Sequence, residues 1–224
     1  MGLPALDTSK AAKGRTLLIF APKGGVGKST IAMNLLVAAT QHGYKARGVD
    51  LDPQRTLSNW DAYRRENPFS KHLTPVEVVP SHINDWRSVW ESNADYDISI
   101  YDFPPGVEGF QDSIYSLTGR GDYVLIPFGP GHELPHLIPW MKRLLERERK
   151  VAFCMTKVIN PNYTGARVAK TEAVKHGPCT PVDIPMRDDI LRSSQGFSVF
   201  DHPKFRGRDE FQILWNHVCQ EIRL

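Results

Sequence analysis

At 224 residues the chain can bury a sizeable core, and its length fits one α/β domain better than two. With 24% charged and 41% hydrophobic residues it reads as a soluble globular protein, without a bilayer-spanning apolar run or a secretory or myristoylation signal at its start. A net charge of +3 is too small to announce nucleic acid from composition, and three scattered cysteines (Cys154, Cys179, Cys219) offer neither a disulfide framework nor a zinc site, which fits a reducing cytoplasm.

Residues 1–14 (MGLPALDTSKAAKG) have no apolar period and read as a flexible tail ahead of one domain spanning 15–224. The run TLLIF at 16–20 predicts a first strand, followed by a glycine-rich turn and a helix over 28–42. Further strands are predicted at 46–50, 76–79, 97–102, 122–128 and 151–156, with a helix over 134–148 between the last two. Segment 59–81, with three prolines and weak periodicity, reads as an irregular excursion. Trp86 and Trp90, four residues apart, predict a helix face, and helices are expected at 163–176, 188–194 and 209–223. Strands alternating with helices at this spacing predict a mostly parallel, doubly wound sheet covered on both faces. Continuous apolar strands such as TLLIF and YVLIPF suit burial on both sides.

After the first strand comes APKGGVGKST, residues 21–30. It meets the phosphate-binding pattern GxxxxGK[ST] only approximately, because neither Ala21 nor Pro22, where the first glycine would fall, is glycine. Gly24, Gly25 and Gly27 let the backbone curl so that several N–H groups face one anion, with Val26 and Thr30 completing the cradle. The helix that follows presents its positive end, Lys28 can reach β- and γ-phosphates, and the Ser29 hydroxyl can sit on Mg²⁺. Two later strands end in acids, at Asp50-Leu51-Asp52-Pro53-Gln54 and at Ile100-Tyr101-Asp102. Carboxylates at the C-terminal ends of parallel strands face the ligand crevice. Apolar residues leading into an acid make Asp102 a Walker B candidate for Mg²⁺, and alternation puts Asp50 and Asp52 on one side.

The KGGVGKST loop resembles the deviant Walker A box of the ParA/MinD ATPase family, and the DxDPQ box resembles that family's second acidic motif. LDPQRTLSNW at 51–60 is especially similar to small ParF-like ParA partitioning ATPases, which lack an N-terminal helix-turn-helix domain. The resemblance implies that Lys23 reaches across a dimer interface to the partner subunit's nucleotide. It further implies that Asp52 positions the attacking water, that Asp50 supports the magnesium shell, and that FPPG at 103–106 is a switch loop. Met155, Lys157, Pro185, Met186 and Arg187 would lie on the adenine side. The implied cofactors are ATP/ADP and Mg²⁺. The implied behaviour is weak ATP hydrolysis, an ATP-dependent homodimer, and nonspecific DNA binding through Arg187, Arg192, Lys204, Arg206 and Arg208. A ParB-like or ParG-like adaptor would stimulate hydrolysis, and the protein would be cytoplasmic, nucleoid-associated when ATP-bound, and would segregate or position a cargo.

A second cationic cluster, Lys142, Arg143, Arg147, Arg149 and Lys150, is diluted by Glu146 and Glu148. Two alternatives share the loop: a MinD-like membrane-associated regulator and a metabolic P-loop kinase or ligase. The final helix carries Phe211, Leu214, Trp215, Val218 and Ile222 at helical spacing opposite a face poor in Lys and Arg. That composition favours packing onto the sheet over membrane binding.

Overall fold

The structure, a computed structural model, describes residues 14–224, so all but Gly14 of the expected tail lies outside the described residues. Six strands form one parallel sheet: β1 Arg15–Ile19, β2 Ala46–Asp50, β3 Val78–Pro80, β4 Ile98–Asp102, β5 Tyr123–Phe128 and β6 Val151–Met155, in the order β3-β2-β4-β1-β5-β6. The helices are α1 Lys28–Gln41, α2 Thr56–Glu66, α3 Trp86–Glu91, α4 Gln111–Thr118, α5 Leu134–Glu146, α6 Thr164–His176, α7 Asp188–Leu191 and α8 Arg208–Ile222.

Strand alternation sorts the core into two layers. Leu17, Ile19, Ile98, Ile100 and Leu125 face α1, α2, α7 and α8, whereas Leu18, Tyr101, Val124 and Ile126 face α3, α4, α5 and α6. A doubly wound α/β fold follows, as expected. The final helix packs as its composition predicts, with Phe211, Leu214, Trp215 and Val218 fully buried.

Two helices fall where none was expected. The excursion read at 59–81 is in its first part α2, which buries Leu57, Trp60, Asp61 and Arg64. Its period was masked because two of its four inward residues are charged. Arg64 donates to both oxygens of Asp201 at 2.6 Å and also to the Gly196 and Thr74 carbonyls, so the guanidinium enters the core fully paired. The other unexpected helix is α4, two turns long, with Ile114 and Leu117 as its buried contacts. Gly48 lets α1 and α2 close onto β2, since a Cβ there would come within 3.0 Å of Leu57 and 3.1 Å of Leu36.

Candidate phosphate and cation site

The strand order places β1 centrally, with β4 on one side and β5 on the other. The chain leaves β1 toward β2 and later crosses to β5, so the crevice at the C-terminal end of β1 is the topological switch point where open α/β sheets bind ligands. The glycine-rich loop fills that crevice. Gly25 and Gly27 adopt φ of 74° and 90°, left-handed values that glycine takes without steric cost. Gly27 begins α1 without a side-chain cap, so the first N–H groups of the helix have no intrahelical partner and remain available to an anion.

Neighbouring segments fix the loop. The Thr156 hydroxyl, just past β6, donates to the Val26 carbonyl at 2.8 Å, and the Gly106 N–H, past β4, donates to the Pro22 carbonyl at 2.7 Å. The FPPG segment is therefore tied directly to the loop, and a Cβ on Gly24 would meet Pro105 at 3.5 Å.

Lys28 is buried, and its Nζ donates to the carbonyl of Lys23 at 3.0 Å. Burial lowers its pKa, opposed by the nearby negative charges of Asp102 and Asp52. Asp102 stands in register with Asp50 on β2 and with Ile19 on β1. It is fully buried, and neither carboxylate oxygen has a hydrogen-bond partner. Burial pushes its carboxyl up to about 7; Ser29, close by but outside bonding geometry, and Lys28 pull down, while Asp50 and Asp52 push up further. Two unsatisfied anionic oxygens beside a hydroxyl are a donor set suited to a hard divalent cation.

The other two acids differ. Asp50 Oδ1 accepts the Asp52 N–H at 3.1 Å, and Oδ2 accepts the Ser58 N–H at 2.8 Å and the Ser58 hydroxyl at 2.7 Å. Both oxygens of Asp50 thus bind groups that hold the acidic turn and the start of α2. Asp52 uses Oδ1 for the Gln54 N–H at 2.9 Å, and Oδ2 has no partner among the described residues. Lys23 at the loop's head has a half-exposed side chain, its Nζ 3.8 Å from Glu133 Oε1. Glu133 was not singled out from sequence, because it acts through a fold contact rather than a motif; Thr156 lies in the 155–157 stretch that resembles an adenine-side segment, but its tie to the loop carries no sequence signal.

Beside the loop runs an apolar groove lined by Gly27, Thr30, Ile31, Thr156, Lys157, Ile184, Pro185, Met186, Arg187 and Ile190. Four of the five residues expected on the adenine side line it. The fifth, Met155, turns instead into the core beneath α5 and α6, because side chains alternate along β6 and its neighbour Thr156 takes the groove side. A larger hollow of about 410 Å³ on α6, bordered by Arg167, Thr171 and Lys175, shares no residue with this site.

The C-terminal cations are only partly free. Arg206 pairs with Asp188 and Asp189 at 3.7 and 3.5 Å, Arg192 pairs with Asp189 at 3.8 Å, and Arg208 donates to the Phe200 carbonyl at 2.9 Å. Lys204 is exposed and has no ion pair among the described residues. In the second cluster Lys142 and Lys150 pair with Glu146 and Glu221, and Arg143 lies 4.0 Å over the Tyr115 ring. No described helix is long and apolar enough to cross a membrane, and no described cluster of His, Cys, Asp and Glu forms a metal centre by itself.

Comparison with known proteins agrees with this fold. Maintenance of carboxysome distribution protein A of Halothiobacillus neapolitanus is 27% identical over 221 residues, spanning 92% of this chain and 97% of that protein. A proposed plasmid partition protein of Borrelia burgdorferi, solved with AMPPNP, superposes with a TM-score of 0.70 at 17% identity, covering 93% of this chain and 99% of that one. The MinD cell division protein of Aquifex aeolicus superposes with a TM-score of 0.68 at 19% identity, covering 92% and 97%. These two likenesses concern the fold. The family model described as the CobQ/CobB/MinD/ParA nucleotide binding domain matches residues 17–198, most of the chain, and the protein belongs to that family.

Proposed function

We propose that this protein is a ParA-like ATPase whose two subunits close face to face around ATP, bind DNA nonspecifically and position a cargo with an adaptor that stimulates hydrolysis. The observation that carries the reading is a glycine-rich loop headed by Lys23 beside a buried Asp102 whose two oxygens lack partners.

In this reading the backbone N–H groups of residues 24–30 hold the phosphates of ATP, and the Lys28 ammonium exchanges the Lys23 carbonyl for a phosphate oxygen. Ser29 and Asp102 hold Mg²⁺, which supplies charge neutralisation of the β- and γ-phosphate oxygens. Asp50 keeps the acidic turn in place through its two backbone contacts, at Asp52 and Ser58. The partnerless Oδ2 of Asp52 orients the attacking water. Lys23 enters the other subunit's site as a cation on the charge that develops during phosphoryl transfer. The groove bounded by Lys157, Pro185, Met186 and Arg187 receives the base.

DNA binding rests on Arg187, Arg192, Lys204, Arg206 and Arg208. Because Asp188 and Asp189 offset part of their charge, one subunit binds poorly, and the two faces of a dimer supply the avidity. The ATP-bound dimer is accordingly nucleoid-associated.

The test is molecular mass and binding to unrelated DNA sequences with ADP, with ATP, and with ATP for Lys23→Ala. The reading expects a dimer that binds DNA only with ATP, and loss of both properties in Lys23→Ala. A dimer that ignores DNA at low salt sinks the nucleoid role, and a chain that never dimerises sinks the sandwich.

A further inference from the structure

The head of the loop is held in cis at both ends of Lys23. Its carbonyl accepts a hydrogen bond from Lys28 Nζ at 3.0 Å, and its ammonium lies 3.8 Å from Glu133 Oε1. Glu133 precedes α5 and lies past the C-terminal end of β5, the strand beside β1, so the sheet order brings it to the loop. Its side chain is 18% exposed against 50% for Lys23, and its Oε2 is buried without a hydrogen-bond partner. The wall around that carboxylate is glycine: a Cβ on Gly131 would lie 3.2 Å from Oε2, and one on Gly129 3.6 Å. The acid therefore sits in a closely fitted recess with one oxygen directed at Lys23 and the other unsatisfied. Such a group has strong reason to keep a cation nearby.

We propose that Glu133 is a positioning residue that keeps Lys23 over its own subunit and thereby sets the protein concentration at which ATP closes the dimer. The inference rests on the sandwich reading above. Phosphate binding would draw Lys28 away from the Lys23 carbonyl, which removes one of the two ties. The Glu133 contact then remains as the restraint on the Lys23 side chain. It is long and half solvated, so it is weak enough to be surrendered to a partner's phosphates. Removing it spares the subunit that cost, and because each dimer releases two such contacts, the effect on assembly is doubled.

The experiment uses the full chain. Dimerisation with AMPPNP and Mg²⁺ is followed by analytical ultracentrifugation across protein concentration for wild type, Glu133→Gln and Glu133→Asp. In parallel, the nucleotide-free protein is acetylated under limiting reagent and the modification of each lysine is read by mass spectrometry. Glu133→Gln, close in volume but uncharged, should lower the dimerisation threshold about 3- to 10-fold and raise Lys23 acetylation relative to the distant, exposed Lys71. Glu133→Asp, which restores the charge, should return most of both properties to wild type. The proposal is overturned by unchanged Lys23 acetylation in Glu133→Gln, by a raised threshold, or by Glu133→Asp behaving as Glu133→Gln does. If acetylation responds but no variant dimerises, wild type included, the sandwich reading fails and the threshold role with it, while the cis contact stands.

Discussion

Asp50 and Asp102 face each other across adjacent strands, yet their surroundings make them different groups. Asp50 fills its oxygens with N–H and O–H donors from the turn it supports, whereas Asp102 has none. Burial consequently raises the Asp102 carboxyl from its ordinary 3.8 to about 7. A carboxyl with a raised pKa favours the folded state below its unfolded value and loses that contribution as pH rises through the folded one. Without nucleotide or Mg²⁺, this group should erode stability between about pH 4 and pH 7, by on the order of a few kcal/mol. Asp102→Asn should therefore unfold at higher denaturant than wild type at pH 8, with a smaller difference at pH 5, while losing Mg²⁺-dependent ATP hydrolysis. Equal stability of the two proteins at pH 8 would mean that Lys28 already neutralises the acid fully.

Among the elements, α2 meets the C-terminal part of the chain through a buried ion pair as well as through the apolar contacts of Leu57 and Trp60. The Arg64–Asp201 pair is almost completely buried, and Asp201 also accepts the Ser198 N–H. Asp201→Ala leaves a buried guanidinium without its counter-ion and should cost about 3–5 kcal/mol in urea unfolding. A loss below 1 kcal/mol would show that water replaces the acid. The contact between β5 and α8 is polar in another way: the Tyr123 hydroxyl and His217 Nε2 lie 2.7 Å apart, and burial lowers the His217 pKa below its ordinary 6.5. A histidine whose folded pKa is depressed contributes stability above its unfolded pKa and loses it as pH falls through the folded one. The contribution of His217 to thermal stability should thus fall below about pH 6.5, opposite in sign to that of Asp102, and His217→Gln should remove it from the acid part of the profile. An unchanged acid limb would place its origin elsewhere.

For the molecule as a whole, the fate of α8 separates two members of one family. A helix with Phe211, Leu214, Trp215 and Val218 fully buried leaves Ile213 as its one exposed large apolar side chain, too little to hold a bilayer surface. Sedimentation with anionic vesicles should therefore be the same with ATP and with ADP. Leu214→Ala should destabilise the protein by about 2–5 kcal/mol, as a core truncation does. ATP-dependent recovery in the vesicle pellet would require α8 to leave the sheet and would move the protein toward a membrane role.

What was legible in the sequence was whatever is written in local chemistry. The glycine-rich run at 23–30 marks a turn between a strand and a helix, and the apolar runs ending in Asp50 and Asp102 mark strand ends at a crevice. The final helix likewise declared its buried face by its period. What the sequence withheld depends on distant partners. Helix α2 was hidden because Arg64 and Asp61 are buried, and a buried charge is recognisable only once its counter-ion is known. Arg47, the second residue of β2, is buried without a counter-ion, held by the neutral oxygens of Val89, Ser92, Asn93 and Ser99, which the sequence likewise does not show. Met155 and Thr156 could not be told apart until strand alternation gave one to the core and the other to the loop. Glu133 belongs to no motif; it meets Lys23 because the sheet places β5 next to β1. Local spacing determines which residues can bind phosphate, and the strand order alone decides which acids and hydroxyls surround them.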